Sequence, residues 1–126
     1  MRLHHVQVAC PHGGEAEARR FWADGLGMTE VDKPEDLRGR GGCWFRAYDD
    51  AGAVTAEIHV GVEEPFTPAR KAHPALLVHD LMGTAARLET AGFVVDWSQR
   101  ASFASYERFH CFDAHGNRVE VLSPDV

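Results

Sequence analysis

The sequence has few cysteines, no excess of basic residues and no long apolar run. Its three cysteines, Cys10, Cys43 and Cys111, are odd in number and widely spaced. This argues against a disulfide framework and favours reduced thiols in the cytoplasm. The formal net charge of -6 argues against binding to nucleic acid or to an anionic membrane. No segment reaches the roughly 18 apolar residues of a membrane span, and the N-terminus lacks the apolar core of a signal peptide.

The composition is that of an ordinary globular domain. A chain of 126 residues with 44% hydrophobic and 25% charged residues can bury a core without disulfide bonds. We therefore predict one domain over residues 1–126. Eight of the residues are histidines, an enrichment that is compatible with metal binding but does not establish it.

Hydrophobic periodicity predicts the order βαβββ twice along the chain. In the first half the predicted elements are a strand at 3–9, a helix at 15–26 and strands at 28–31, 43–48 and 54–62. In the second half they are a strand at 73–78, a helix at 81–91 and strands at 93–97, 106–112 and 118–122. We expect an α+β fold in which repeats 1–64 and 72–124 form one curved, mixed, eight-stranded sheet around a central cavity, with the helices outside. A ferredoxin-like or other α+β fold with coincidental symmetry is the alternative.

Polar residues interrupt the apolar alternation at corresponding positions of the two halves. The first strand of each half carries a histidine, His5 or His73, and the last carries a glutamate, Glu57 or Glu120. Related strands of a two-fold repeat can meet at its axis, where imidazole and carboxylate ligands suit a divalent ion such as Zn, Ni, Mn, Fe or Co. Taken singly, each residue is more often structural than ligating. His59 shares a face with Glu57 and is an alternative fourth ligand, a residue that lines the pocket, or a residue that hydrogen-bonds a metal ligand.

Five segments resemble the glyoxalase/bleomycin resistance/dioxygenase superfamily, also called vicinal oxygen chelate proteins. In chain order they are LHHVQVA, FWADGLGM, AEIHVG, KAHPALLVHDL and FDAHGNRVEVLSP. The last is similar to a common ending of the family, with Asp113, Gly116, Asn117 and Glu120 in place. The resemblance covers nearly the whole chain and implies metal ligands at His5, Glu57, His73 and Glu120.

This resemblance implies a metal-dependent enzyme acting on a small substrate that chelates the metal through oxygen. Isomerase, lyase and dioxygenase chemistry all occur in the family, in which the metal acts as a Lewis acid. Glu57 or Glu120 would then be the catalytic base. A typical lactoylglutathione lyase is not expected, because Ala9 stands where those enzymes have an arginine for glutathione.

Four further residues are predicted to bind substrate. They are Gln7, His59, Tyr106 and Arg108. Tyr106 and Arg108, together with His110, would serve as acid–base or anion-binding groups, although ordinary strand-surface positions are the alternative for the first two.

The alternative function is that of a metal-free protein that binds or sequesters a small molecule or drug. Strand aromatics such as Trp44 and Trp97 would line its groove, although aromatics in strands more often belong to a core. The presence of all four ligand positions favours an enzyme. The same two tryptophans are candidate interface anchors, and we predict a homodimer.

Overall fold

The computed structural model describes residues 1–125 and contains seven strands in two sheets. The strands of the first sheet are β1 (Val6–Cys10), β2 (Thr29–Val31), β3 (Cys43–Tyr48) and β4 (Val54–Val62), in the spatial order β1-β4-β3-β2. Those of the second are β5 (Ala75–Leu77), β6 (Tyr106–Phe112) and β7 (Arg118–Pro124), in the order β5-β7-β6. The alternating segments thus become strands with bounds close to those predicted.

The two sheets have the same pairing pattern. In each, the first strand runs parallel to the last, and the last is antiparallel to the strand before it. The first sheet adds β2 beside β3. At the corresponding place in the second sheet, an isolated bridge joins Asp96 to His110.

The prediction of one eight-stranded sheet is therefore not met in residues 1–125. The strand expected at 93–97 is reduced to the bridge at Asp96, and β5 has only three residues. Within the described part of the chain, no strand of one sheet pairs with a strand of the other. Pro74, which precedes β5, has no N–H to donate to a neighbouring strand.

Three helices accompany the sheets. Helix α1 (Glu15–Arg19) continues into a π-helical segment, Arg20–Gly25, in place of the single α-helix predicted over 15–26. The short α2 (Glu35–Arg38) lies in the loop before β3. Helix α3 (Leu81–Thr90) is preceded by Asp80, whose side chain accepts a hydrogen bond from the N–H of Gly83 at 2.9 Å, as an N-cap residue does. None of these helices has the length and apolar character needed to cross a bilayer.

The core lies between the helices and one face of each sheet. Phe21 and Trp22 of the π-helical segment and Leu88 of α3 are fully buried against strand residues such as Ile58 and Val119. Gly25 permits close contact between the helices, since a Cβ there would lie 2.9 Å from Leu88. The helices thus occupy one face of the sheets and leave the opposite face for polar residues.

Candidate metal and ligand site

Each sheet has an apolar face toward the helices and a polar face on the other side. In β4, Ile58 is in the core, and its neighbours Glu57 and His59 point the opposite way. In β7, Val119 and Val121 are in the core and Glu120 between them points away. The alternation of strand side chains therefore places a buried glutamate on the polar face of each sheet.

Three residues surround Glu120, and with it they form what we call the second-half cluster (His73, Arg108, His110 and Glu120). His110 lies directly opposite Glu120 in the strand register. Oε1 of Glu120 is 3.0 Å from Nε2 of His73 and 3.5 Å from Nε2 of His110, and Oε2 is 3.3 Å from Nη1 of Arg108. Ligand atoms of His73, His110 and Glu120 all lie within 4.8 Å of one another, close enough to share one ion.

The donor set and its unsatisfied atoms fit a divalent ion. Nδ1 of His110 and Oε2 of Glu120 are buried without a hydrogen-bond partner, although the Arg108 ion pair partly compensates Oε2. Buried polar atoms normally have partners, so these two atoms remain available to a ligand other than the protein itself. Two imidazoles and one carboxylate are ligands that Zn²⁺ and Fe²⁺ sites commonly use, the latter leaving positions open for other ligands.

The corresponding group on the first sheet is organised differently; we call it the first-half cluster (His5, Trp44, Arg46, Glu57 and His59). Both oxygens of Glu57 are engaged. Arg46 donates from Nε to Oε1 at 2.6 Å, and Nε2 of His59 lies 2.7 Å from Oε2. The His59 ring is stacked between those of Trp44 and His5. This carboxylate is thus held by protein groups, whereas Glu120 retains an oxygen without a hydrogen bond.

The structure brings together two of the four residues predicted as metal ligands. His73 and Glu120 are in contact, whereas His5 and Glu57 lie in the first-half cluster. His5, Glu57 and His73 nevertheless line one cavity of about 550 Å³. The four-residue set remains a prediction.

The four predicted substrate-binding residues are dispersed. His59 is buried in the first-half cluster, and Gln7 lies over Gly61 and lines a second cavity of about 420 Å³. Arg108 contacts Glu120, and the ring of Tyr106 packs against Phe103 with centroids 5.1 Å apart.

His110 is the residue whose position sequence reasoning did not anticipate. The sequence indicated it only as an acid–base or anion-binding group. Its spacing from Arg108 places both on one face of β6, which was a usable signal. The register that sets His110 opposite Glu120 is not readable from the strand patterns alone.

Burial and charge set the ionisation of these groups. Burial lowers the pKa values of His59 and His110 below the ordinary 6.5 by disfavouring the imidazolium ion. Burial alone would raise the pKa of Glu120, but the hydrogen bond with His73 and the positive charge of Arg108 outweigh it, so that the pKa falls below 4.5. The pKa of Glu57 is lowered in the same way, by His59 and Arg46 against burial. Near neutral pH the clusters therefore hold ionised carboxylates beside neutral His59 and His110, the protonation states that metal binding requires.

Stability of the metal-free protein is expected to decrease as the pH falls below about 6.5. The unfolded chain protonates His59 and His110 near this pH, whereas the folded chain does so only at lower pH. The unfolded state then binds more protons, and each histidine lowers the free energy of unfolding by at most about 1.4 kcal/mol per pH unit. Urea unfolding in EDTA between pH 7.5 and 5 would measure this, and His110→Gln should make the decline shallower. If the free energy of unfolding of His110→Gln fell with pH as steeply as that of the wild type, His110 would not contribute to this pH dependence.

The sequence profile of the Glyoxalase/Bleomycin resistance protein/Dioxygenase superfamily matches residues 2–121. The chain belongs to this superfamily. No curated protein sequence matches the chain. Among solved structures, a Bacillus anthracis protein assigned to the glyoxalase family is 39% identical, with a TM-score of 0.85 and an alignment covering 99% of this chain and 100% of the other.

Two more distant structures share the fold with this superfamily member. TnmS3, an antibiotic binding protein from Streptomyces sp. CB03234, is 20% identical with a TM-score of 0.67, and the alignment covers 99% of each chain. FosX, a fosfomycin resistance protein from Listeria monocytogenes, is 10% identical with a TM-score of 0.72, over 99% of this chain and 92% of the other. The fold is therefore found both in a binding protein and in a resistance protein.

The C-terminal motif that resembles a common ending of the family connects separate parts of the structure through hydrogen bonds of Asp113 and Asn117. Asp113 accepts hydrogen bonds from the backbone N–H groups of His115 and Asn117, both at 2.9 Å. Asn117 donates to the carbonyl of Ala9 at 2.8 Å and accepts from the N–H of Ala69 at 2.9 Å. The motif thus connects the turn before β7 to β1 and to the chain segment between the two sheets.

Proposed function

We propose that the protein is a divalent-metal-dependent enzyme, of the lyase, isomerase or dioxygenase type, acting on a small oxygen-chelating substrate. The observation that carries this proposal is the second-half cluster, in which two imidazoles and a carboxylate converge and a buried carboxylate oxygen lacks a hydrogen bond. His73, His110 and Glu120 would hold the ion, and His5 and Glu57 remain predicted ligands on the adjoining cavity. Zn, Ni, Mn, Fe and Co are all candidates for the ion.

The chemistry supplied by the ion, when bound, is Lewis-acid activation of substrate oxygens. The residues of the chain have separate tasks. Glu120, or Glu57 in the first-half cluster, is the proposed proton acceptor, and its low pKa keeps it ionised. Arg108, partly exposed beside Glu120, is placed to hold an anionic group of the substrate. Gln7, His59 and Tyr106 remain proposed substrate contacts.

The proposal includes the organisation of the molecule. The shared strand-pairing pattern supports one domain built from repeats 1–64 and 72–124, and we propose a homodimer. The three cysteines are buried and unpaired, which supports a cytoplasmic location.

A metal-free small-molecule binder is the second candidate function. It is supported by the cavity of about 550 Å³, a size typical of small-molecule sites, whose lining includes apolar side chains such as Leu26, Met28 and Ile58. TnmS3, which shares the fold, is described as an antibiotic binding protein.

Metal analysis followed by metal-dependent assays tests the proposal. We expect about one divalent ion per site in the purified protein, and turnover of at least one diketone, catechol or thiol-adduct substrate that EDTA abolishes and metal restores. The glutathione adduct of methylglyoxal should be turned over weakly or not at all, because Ala9 offers no cation for a glutathione carboxylate. Absence of metal binding, with small-molecule binding retained, would favour the second candidate.

A further inference from the structure

Three aromatic rings form a continuous stack across the polar face of the first sheet. The rings of Trp44 and His59 are 3.7 Å apart between centroids and inclined by only 2°. On the other side of His59, the ring of His5 follows at 4.0 Å with an inclination of 16°. Strand register explains the first contact, because Trp44 and His59 are directly opposite each other in β3 and β4.

The stack is buried at its centre and reaches a cavity at one end. His59 is buried and Trp44 is half-buried, whereas His5 is exposed. Of the three, only His5 lines the cavity of about 550 Å³. One face of the His5 ring packs on His59, and the ring of His4 lies perpendicular to that of His5, at 89° with centroids 5.2 Å apart. The exposed end of the stack therefore borders the cavity.

Other contacts hold the stack in a fixed orientation. Nε2 of His59 is fixed by Glu57 at 2.7 Å, and Glu57 is fixed by Arg46 at 2.6 Å. A binding surface whose rings are already oriented loses little conformational entropy when a ligand is added. Parallel offset stacking also favours a flat π system over a puckered ring of equal size.

We propose that the His5–His59–Trp44 stack is a binding platform for a planar, conjugated ring, which packs on His5 at the cavity end of the stack as a fourth member. This inference rests on the proposed function only in taking the cavity as the ligand site, and it adds the shape of the ligand. His73 of the second-half cluster lines the same cavity. A ring on His5 therefore lies in the space that borders the candidate metal ligands, where oxygen substituents can face them.

Equilibrium dialysis in EDTA with two matched diols tests the platform without the metal. Catechol and 1,2-cyclohexanediol have the same number of carbons and the same vicinal oxygens, but only catechol is planar. We expect catechol to bind the intact chain at least about fivefold more tightly than cyclohexanediol, as ring stacking predicts. His5→Ala should remove this preference, whereas His5→Phe, which keeps a ring but no ligating nitrogen, should retain it.

Controls separate the platform from folding and from metal binding. His12→Ala, an exposed histidine outside both clusters, should leave the preference unchanged, and circular dichroism should show that all variants fold. Equal affinity of the intact chain for the two diols, or an undiminished preference in His5→Ala, would overturn the proposal. Because EDTA is present throughout, neither result depends on the metal content that tests the proposed function.

Discussion

Replacing Glu120 by glutamine is expected to lower the affinity for a divalent ion at least about 100-fold. Changing a residue that only supports a ligand commonly costs 10–100-fold in affinity, and the loss of a charged ligand should cost no less. Glutamine keeps the shape of the side chain but not its charge, so the hydrogen-bonding geometry near His73 and His110 is least disturbed. Calorimetric titration of the metal-free protein with Zn²⁺ or Mn²⁺ measures the change.

Glu57→Gln is the matched control, because it makes the same change at the corresponding place in the first sheet. Arg46 and His59 occupy both oxygens of Glu57, so a small effect there would indicate that His73, His110 and Glu120 hold the ion without it. An equally large loss of metal affinity in Glu57→Gln would support the predicted ligand set that combines His5 and Glu57 with His73 and Glu120. Wild-type affinity in both variants would contradict the proposed metal site. Circular dichroism should confirm folding, since Glu120→Gln leaves Arg108 without its counter-ion.

The sequence was largely sufficient to predict which segments form strands and which face of each strand enters the core. The strands at 43–48, 54–62 and 106–112 have the predicted bounds, because alternating apolar and polar residues allow only one face of each to enter the core. The same alternation predicted that Glu57 and Glu120 lie opposite the core face. These features depend on local pattern alone, which a single sequence contains.

Features that depend on tertiary partners were not predictable. The widened turns over Arg20–Gly25 leave no periodic signal distinct from that of an α-helix. The segment 93–97 has the composition of a strand but forms only the bridge at Asp96. Its Phe93 packs instead against Phe21 and beneath Arg20. Tertiary packing here overrides strand propensity.

The candidate site was also predictable only where it does not depend on tertiary partners. Sequence spacing indicated His73 and Glu120 because the two halves resemble each other, but it contained no information on strand register. Register placed His110 beside Glu120, and it placed Trp44 beside His59. The side chains that distinguish the two clusters were therefore accessible only from the structure.

The hydrogen bonds of the Asn117 side chain lead to the prediction with the largest expected effect on the free energy of unfolding. Asn117 is 2% exposed, and its amide group makes hydrogen bonds to Ala9, Ala69 and Asp113. Asn117→Ala would leave the part-buried carbonyl of Ala9 and the buried Oδ2 of Asp113 without this donor, at about 1–3 kcal/mol for each buried unsatisfied group. The N–H of the exposed Ala69 would lose its acceptor as well. We expect the free energy of unfolding to fall by roughly 2–4 kcal/mol, a large part of the 5–15 kcal/mol typical of a domain.

Asn117→Asp distinguishes hydrogen bonding from packing, because the two side chains have nearly the same volume. Aspartate still accepts from the N–H of Ala69, but its second oxygen would face the Ala9 carbonyl and the Asp113 carboxylate, which both accept hydrogen bonds from Nδ2 in the native chain. Loss of two donated bonds and repulsion between acceptors should make Asn117→Asp at least as destabilising as Asn117→Ala at neutral pH. Urea unfolding monitored by circular dichroism measures both variants. If Asn117→Asp were as stable as the wild type, the Asn117 amide would contribute by filling space and not through its hydrogen bonds.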